Sequence, residues 1–138
     1  MKILFDTNVV LDVLLDRAPF SEVATALFAS VERDELAGYL CATTITTVHY
    51  LATKAVGAKE GRHAIGKLLS LFEVAPVNRI VLETALGSRF TDFEDAVLHE
   101  AARHVGAQGV VTRNADDFKH PQLQIYLPDE LSKIIQSL

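Results

Sequence analysis

Short apolar runs alternate with stretches of helical periodicity along this chain, and that alternation predicts its architecture. Residues 2 to 5, KILF, form an apolar strand that stops at Asp6. From Asn8, the expected cap, to Leu15, the apolar residues Val10, Leu11, Leu14 and Leu15 recur at helical spacing. Pro19 breaks the pattern, Ser21 is placed to cap the stretch VATALFASVER, and Gly38 marks the exit. Tyr39 to Ala42 predicts a second strand. In residues 43 to 56, TTITTVHYLATKAV, threonine and isoleucine favour a strand, but Val48, Leu51, Ala52 and Ala55 carry a helical repeat. Length decides for a helix beginning near Thr43 or Thr44. A further helix is expected over 59–72, weakened at Gly66, then a strand over 73–77 and a helix from Asn78 to about Leu86.

Thr91 with Glu94 makes a capping-box pattern ahead of a helix over 93–105. Phe93, Val97, Leu98, Ala101 and Val105 predict its inner face, and Asp92, Asp95, His99 and Arg103 the opposite one. GVVT, from Gly109, reads as a strand covered on both faces. Gln124 to Leu127 is a shorter strand, and Pro128 and Asp129 introduce a last helix. Strands alternating with helices predict an α/β layer fold around a short, mostly parallel central sheet. Neither a linker nor a repeat interrupts the chain, so residues 1–138 are expected to form one domain.

Composition narrows the function. Nearly half the residues (49%) are apolar, with only 7 Gly and 4 Pro, which excludes a disordered or collagen-like chain. The lone Cys41 cannot form an internal bridge and points to a reducing compartment, the cytoplasm. No apolar run is long enough to span a bilayer, and Asp6 and Asp12 interrupt the opening stretch, so it reads as folded protein rather than a leader. Thirteen Lys and Arg against 18 Asp and Glu argue against a broad electrostatic grip on nucleic acid. Acids can nevertheless hold a divalent cation against a phosphodiester, so their placement matters more than their sum.

Three acidic groups fall at element ends. Asp6-Thr7-Asn8 follows the first strand, where ligands bind in open α/β sheets, although a capped turn is the simpler reading of those residues alone. Asp92 and Asp95 share one side of a helix's first turn, where the helix dipole by itself also favours acids. VVTRNADDF, residues 110 to 118, delivers Thr112, Asn114, Asp116 and Asp117 to a strand end, to order a turn or to meet the other acids. If the three groups meet, their repulsion raises some pKa values unless a cation compensates, and an oxygen-only donor set suits Mg²⁺ or Mn²⁺ better than zinc. A P-loop, a dinucleotide-binding glycine motif, a CxxC pair and a serine nucleophile elbow are all missing.

The segments LFDTNVVLDVLL and DFEDAVLHEAARHVGAQGVVTRNADDF, in this order and at this separation, resemble a PIN domain. This is the nuclease fold of toxin subunits in virulence-associated toxin–antitoxin pairs, and the likeness covers nearly the whole chain. It implies a three-layer fold, a Mg²⁺- or Mn²⁺-dependent endoribonuclease, a homodimer and a small antitoxin partner. Position by position, it implies that Asp6 and Asp95 bind metal, and that Asn114 and Asp117 do so directly or through water. Asp116 is less securely placed. The family's usual Glu in the helix after the second strand is missing here, and His49 is the nearest match. His49 either enters the cleft, as a ligand or phosphate contact, or packs in the core.

Asp92 is expected to add charge that offsets the missing Glu. His99, four residues after Asp95, is placed either to orient that carboxylate or to make an ordinary helical contact. Arg103, Arg113 and Lys119 are candidate phosphate or RNA contacts. Arg17 reads as scattered surface charge. The rival expectation, carried by the missing Glu, is a noncatalytic RNA-binding or regulatory protein on the same architecture; a small metal-dependent phosphatase is a third.

Overall fold

The computed structural model describes residues 1–138. Strand β1 (Lys2–Phe5) is followed by helices α1 (Thr7–Leu14) and α2 (Ser21–Glu32), strand β2 (Ala37–Cys41), and helices α3 (Ala42–Val56) and α4 (Ala58–Leu71). Then come β3 (Glu73–Ala75), α5 (Arg79–Leu86), α6 (Phe93–His104), β4 (Gly109–Val111), a 3₁₀ turn (Ala115–Asp117), β5 (Gln124–Tyr126) and α7 (Pro128–Gln136). The sheet order is β3-β2-β1-β4-β5, and every pairing is parallel. The order runs outward from β1 in both directions, so β1 and β4 flank the topological switch point.

Strand alternation divides the core. Ile3 and Phe5 pack with Val111, Leu27, Leu68 and Leu131 on one face of the sheet. Leu4 and Val110 pack with Val81, Val97 and Ala101 on the other. Helices α1 to α4 and α7 therefore cover one side, and α5 and α6 the other, giving three layers. Phe5, Phe28 and Phe72 meet edge to face, with ring centroids 5.0 to 5.9 Å apart, at the centre of the first cluster. Two strand glycines are required by close approach. A Cβ on Gly38 would lie 2.6 Å from the Phe72 ring, and one on Gly109 2.7 Å from the Gln124 carbonyl. No helix is long and apolar enough to cross a membrane.

Several element starts differ from expectation. Helix α1 is capped by Asp6, not Asn8: the Asp6 backbone is extended and its Oδ1 accepts from the Thr7 N–H at 2.7 Å. The Asn8 side chain turns instead toward Thr112 and Asp6. Helix α6 is capped by Asp92, whose Oδ1 accepts from the Asp95 N–H at 3.0 Å, in place of the expected Thr91–Glu94 box. Ser21 is the first residue of α2 and does not cap it. Phe93, assigned to the inner face of α6, is 49% exposed, because the helix begins at the sheet edge before it reaches the core.

Candidate active site

The site is built from the two loops at the switch point. Phe5 pairs with Val111 in register, so Asp6 and Thr112 leave neighbouring strands side by side. The Asp6 N–H extends the ladder to the Val111 carbonyl at 2.9 Å. Thr112, fully buried, donates its hydroxyl to Asp6 Oδ2 at 2.8 Å. Thr112 Oγ1 in turn accepts from Asn8 Nδ2 at 3.2 Å and from the Asn114 N–H at 3.1 Å. Asn8 Oδ1 accepts from the Arg113 N–H at 3.3 Å. The Thr7 and Thr44 hydroxyls share a hydrogen bond of 2.9 Å, which fastens the start of α3 to the same corner. These neutral groups fix the Asp6 carboxylate without neutralising it.

Burial pushes the Asp6 pKa up, against the hydrogen bonds from Thr112 and Thr7, and the charges of Glu94 and Asp117 push it further. Half-buried Asp95 is pushed up to about 7, first by burial and then by Asp6, Asp92, Asp117 and Glu94. Carboxylates from the end of β1, the start of α6 and the 3₁₀ turn thus act on one another. Thr91, Asp92, Asp95, Asp117 and Lys119 line one cavity of about 260 Å³. Arg113, Asn114, Asp116 and Asp117 line an adjoining one of about 450 Å³.

The donor set fits a hard divalent cation: oxygen ligands, excess negative charge, and no cysteine or histidine among the mutually repelling groups. The fit is of chemistry and charge rather than of finished geometry. No three Asp, Glu, His or Cys side chains are grouped closely enough to hold an ion. Drawing them closer without a cation would increase the repulsion that already displaces the Asp95 pKa.

The structure therefore brings Asp6, Asp92, Asp95 and Asp117 into one electrostatic group, with Asn114 and Lys119 on the adjoining walls. It does not do the same for the remaining candidates. His49 is half-buried on α3 and is not among the charges acting on Asp6 or Asp95. The α3 side chain that reaches the corner is Thr44.

His99 corrects the helical-wheel expectation. It is 1% exposed, packs against the Phe90 ring with centroids 4.9 Å apart and planes tilted by 39°, and accepts through Nε2 from the Gln122 N–H at 3.1 Å. Burial lowers its pKa. Helix α6 is covered by α5 and by the segment before β5 as well as by the sheet, so its supposed outer face is partly interior. Arg103 is held by both carboxylate oxygens of Glu100, at 3.0 and 3.1 Å. Arg113 grips Asp12 through Nε at 2.7 Å and Nη2 at 3.2 Å, and Arg17 donates to the same carboxylate at 2.9 Å. Arg17 is therefore not scattered surface charge.

The sequence placed Glu94 only as a capping residue, and placed Asn8 and Thr112 at separate strand exits without joining them. Their one signal was position, at a helix start and at two strand exits.

A PIN domain family model matches residues 2–116. The chain belongs to the PIN domain family. The match takes in Asp6, Asp92, Asp95 and Asn114 and ends before Asp117. No curated protein matches the sequence. Among solved structures, the PIN fold recurs in VapBC2 from Rickettsia felis bound to a promoter DNA fragment: TM-score 0.70, 14% identity, 92% of this chain and 98% of that chain covered. It recurs in FitAcB from Neisseria gonorrhoeae at TM-score 0.69 and 22% identity, covering 91% and 97%. It recurs again in VapC20 from Mycobacterium tuberculosis, described as a sarcin–ricin loop cleaving toxin, at TM-score 0.63 and 18% identity, covering 78% and 86%. At these identities the likeness shows a shared fold.

Proposed function

We propose that this chain is a divalent-metal-dependent endoribonuclease that hydrolyses RNA phosphodiesters and serves as the toxin half of a toxin–antitoxin pair. The observation that carries the reading is the convergence of acids from three elements at the switch point: burial, then Glu94 and Asp117, raises the Asp6 pKa, and burial, then Asp6, Asp92, Asp117 and Glu94, raises that of Asp95, which lines one cavity with Asp92 and Asp117. Asp6, Asp95 and Asp117, with Asp92, would hold Mg²⁺ or Mn²⁺, which supplies Lewis-acid polarisation of a phosphoryl oxygen and a nucleophilic water at neutral pH. Thr112 holds Asp6 in place through Oδ2. Asp92 has two tasks, capping α6 and adding charge to Asp95. Asn114 orients a neighbouring carboxylate or water, and Lys119 meets phosphate at the cavity wall. The naming of one structural relative as a sarcin–ricin loop cleaving toxin, and of another, from Klebsiella pneumoniae, as a toxin–antitoxin complex, supports RNA as substrate and a small antitoxin as partner.

A noncatalytic RNA-binding reading has its own support: α3 carries no acid, and the carboxylates stand apart. Cleavage of a short end-labelled single-stranded RNA with Mg²⁺ or Mn²⁺, compared with Asp6→Asn, separates the two. Metal-dependent cleavage lost in Asp6→Asn is expected. Intact RNA binding with no cleavage under either metal would select the noncatalytic protein, and turnover of phosphate monoesters alone a phosphatase.

A further inference from the structure

Beside the acidic cavities lies a third space of about 300 Å³, lined by Phe20, Val23, Arg113, Leu127, Pro128 and Asp129. Arg113 and Leu127 line both this space and the cavity that holds Asn114 and Asp117. Asp117 in turn lines the cavity with Asp92 and Asp95. Shared walls therefore set the three spaces in succession, as one track from the acidic centre to an aromatic wall.

The chemistry changes along that track. At its far end two guanidiniums, Arg17 and Arg113, share the single carboxylate of Asp12, which is 1% exposed. The pairing leaves one positive charge uncompensated in a chain whose net charge is -5. Arg113 donates to Asp12 through Nε and Nη2, so Nη1 stays uncommitted. Its Cζ lies 3.9 Å above the Phe20 ring, which is itself 38% exposed. An exposed aromatic ring, aliphatic walls and a fixed cation beside them match a nucleobase with its phosphate. Asp116 and Asp129, which also line the track, repel phosphate and so hold the strand's charge on the arginine side.

We propose that the Phe20–Arg113 pocket is a nucleotide subsite, taking a base of the RNA strand a short way along from the bond presented to the acidic centre. The base lies against Phe20, Val23 and Leu127, and its phosphate meets Arg113. This rests on the endoribonuclease reading, and it assigns a place where that enzyme grips its substrate. It also explains how a chain without a broad basic surface holds RNA: by one stacked base and one anchored cation rather than by many phosphates.

The test uses the full chain and a fluorescein-labelled 12-nucleotide single-stranded RNA, with anisotropy for affinity and gel analysis for cleavage in Mn²⁺. Phe20 is exposed, so Phe20→Ala is compared with Phe20→Trp, and thermal melts and Mn²⁺ titration monitor the fold and the acidic centre. Phe20→Ala is expected to weaken RNA binding roughly tenfold while Mn²⁺ affinity holds, and Phe20→Trp to restore it. A single abasic position walked along the RNA should weaken the wild type at one site and leave Phe20→Ala indifferent there. Wild-type cleavage with Phe20→Ala binding RNA within twofold would overturn the subsite and leave the nuclease reading standing. A wild type that neither binds nor cleaves RNA would end the nuclease reading and the subsite with it. Loss in Phe20→Ala of binding to a peptide partner, with RNA affinity unchanged, would make the pocket a protein-docking groove and overturn the proposal.

Discussion

Replacing Asp95 by Asn should make the metal-free protein more stable at pH 8, although it removes an acid from the first turn of a helix. The displacement from about 3.9 for an unperturbed aspartate to about 7 corresponds to roughly 4 kcal/mol at 1.36 kcal/mol per pH unit. Asp95 is half-buried, and solvent screening brings the usable figure down to about 1–2 kcal/mol. Asparagine keeps the shape and the backbone N–H that Asp92 caps. It loses the favourable helix-dipole contact of a first-turn acid, roughly 0.3–1 kcal/mol, so the gain must exceed that to be seen.

The direction with pH follows from which state binds the proton more tightly. The folded-state pKa of Asp95 lies above its unfolded value, so its stabilising contribution is complete below about pH 4 and is lost as pH rises through about 7. The advantage of Asp95→Asn over the wild type should therefore be small at pH 5 and largest at pH 8, where the helix-dipole loss leaves a net gain of up to about 6 °C in Tm for a chain of this length. Thermal melts in EDTA at the two pH values measure it, and titrations common to both proteins cancel in the difference. Added Mn²⁺ should raise the wild-type Tm and leave the variant nearly unmoved. A variant less stable than the wild type at pH 8, or a difference independent of pH, would refute the reasoning.

Other substitutions test the corner and the packing. Thr112→Val removes the hydroxyl that donates to Asp6 Oδ2 and should cost about 1–3 kcal/mol in urea unfolding, with Mn²⁺ affinity falling as Asp6 protonates more readily. Gly38→Ala forces a methyl to 2.6 Å from the Phe72 ring and should destabilise by about 1–3 kcal/mol. Gly66→Ala meets nothing within 4 Å in the middle of α4 and should stabilise by about 0.5–1 kcal/mol, so the two glycines should move the urea midpoint in opposite directions.

The sequence carried the elements and the acids, because both are local. KILF announces a strand covered on both faces, and Ile3, Leu4 and Phe5 are fully buried. Asp6 and Asp95 lie at element ends that period alone can place. What a linear reading could not reach was decided by pairing at long range. The Asp12–Arg113 bond spans 101 residues, so Arg113 looked free when read in sequence. His99 shares a helical stripe with Asp95, yet Phe90 and the Gln122 backbone bury it. A wheel diagram assumes one buried side, and α6 has more than one.

Two aspartates on adjoining elements show what distinguishes structure from chemistry here. Asp12 is 1% exposed and is held by two arginines, the arrangement expected when a buried charge must be compensated. Asp6 is 8% exposed, and its partners are the Thr7 amide, the Thr112 hydroxyl and, at 3.5 Å, the Asn8 amide. The same chain therefore has the means to neutralise a buried carboxylate and applies them to Asp12 but not to Asp6. The Asp6 ionisation is instead made harder first by burial and then by the charges of Glu94 and Asp117. A buried anion left without a protein cation, beside other anions, costs stability that selection for folding alone would remove. Its persistence is understandable if the missing positive charge is supplied from outside, which is the physical case for a cation at this corner and for the Mn²⁺-dependent melting difference as the measurement that decides it.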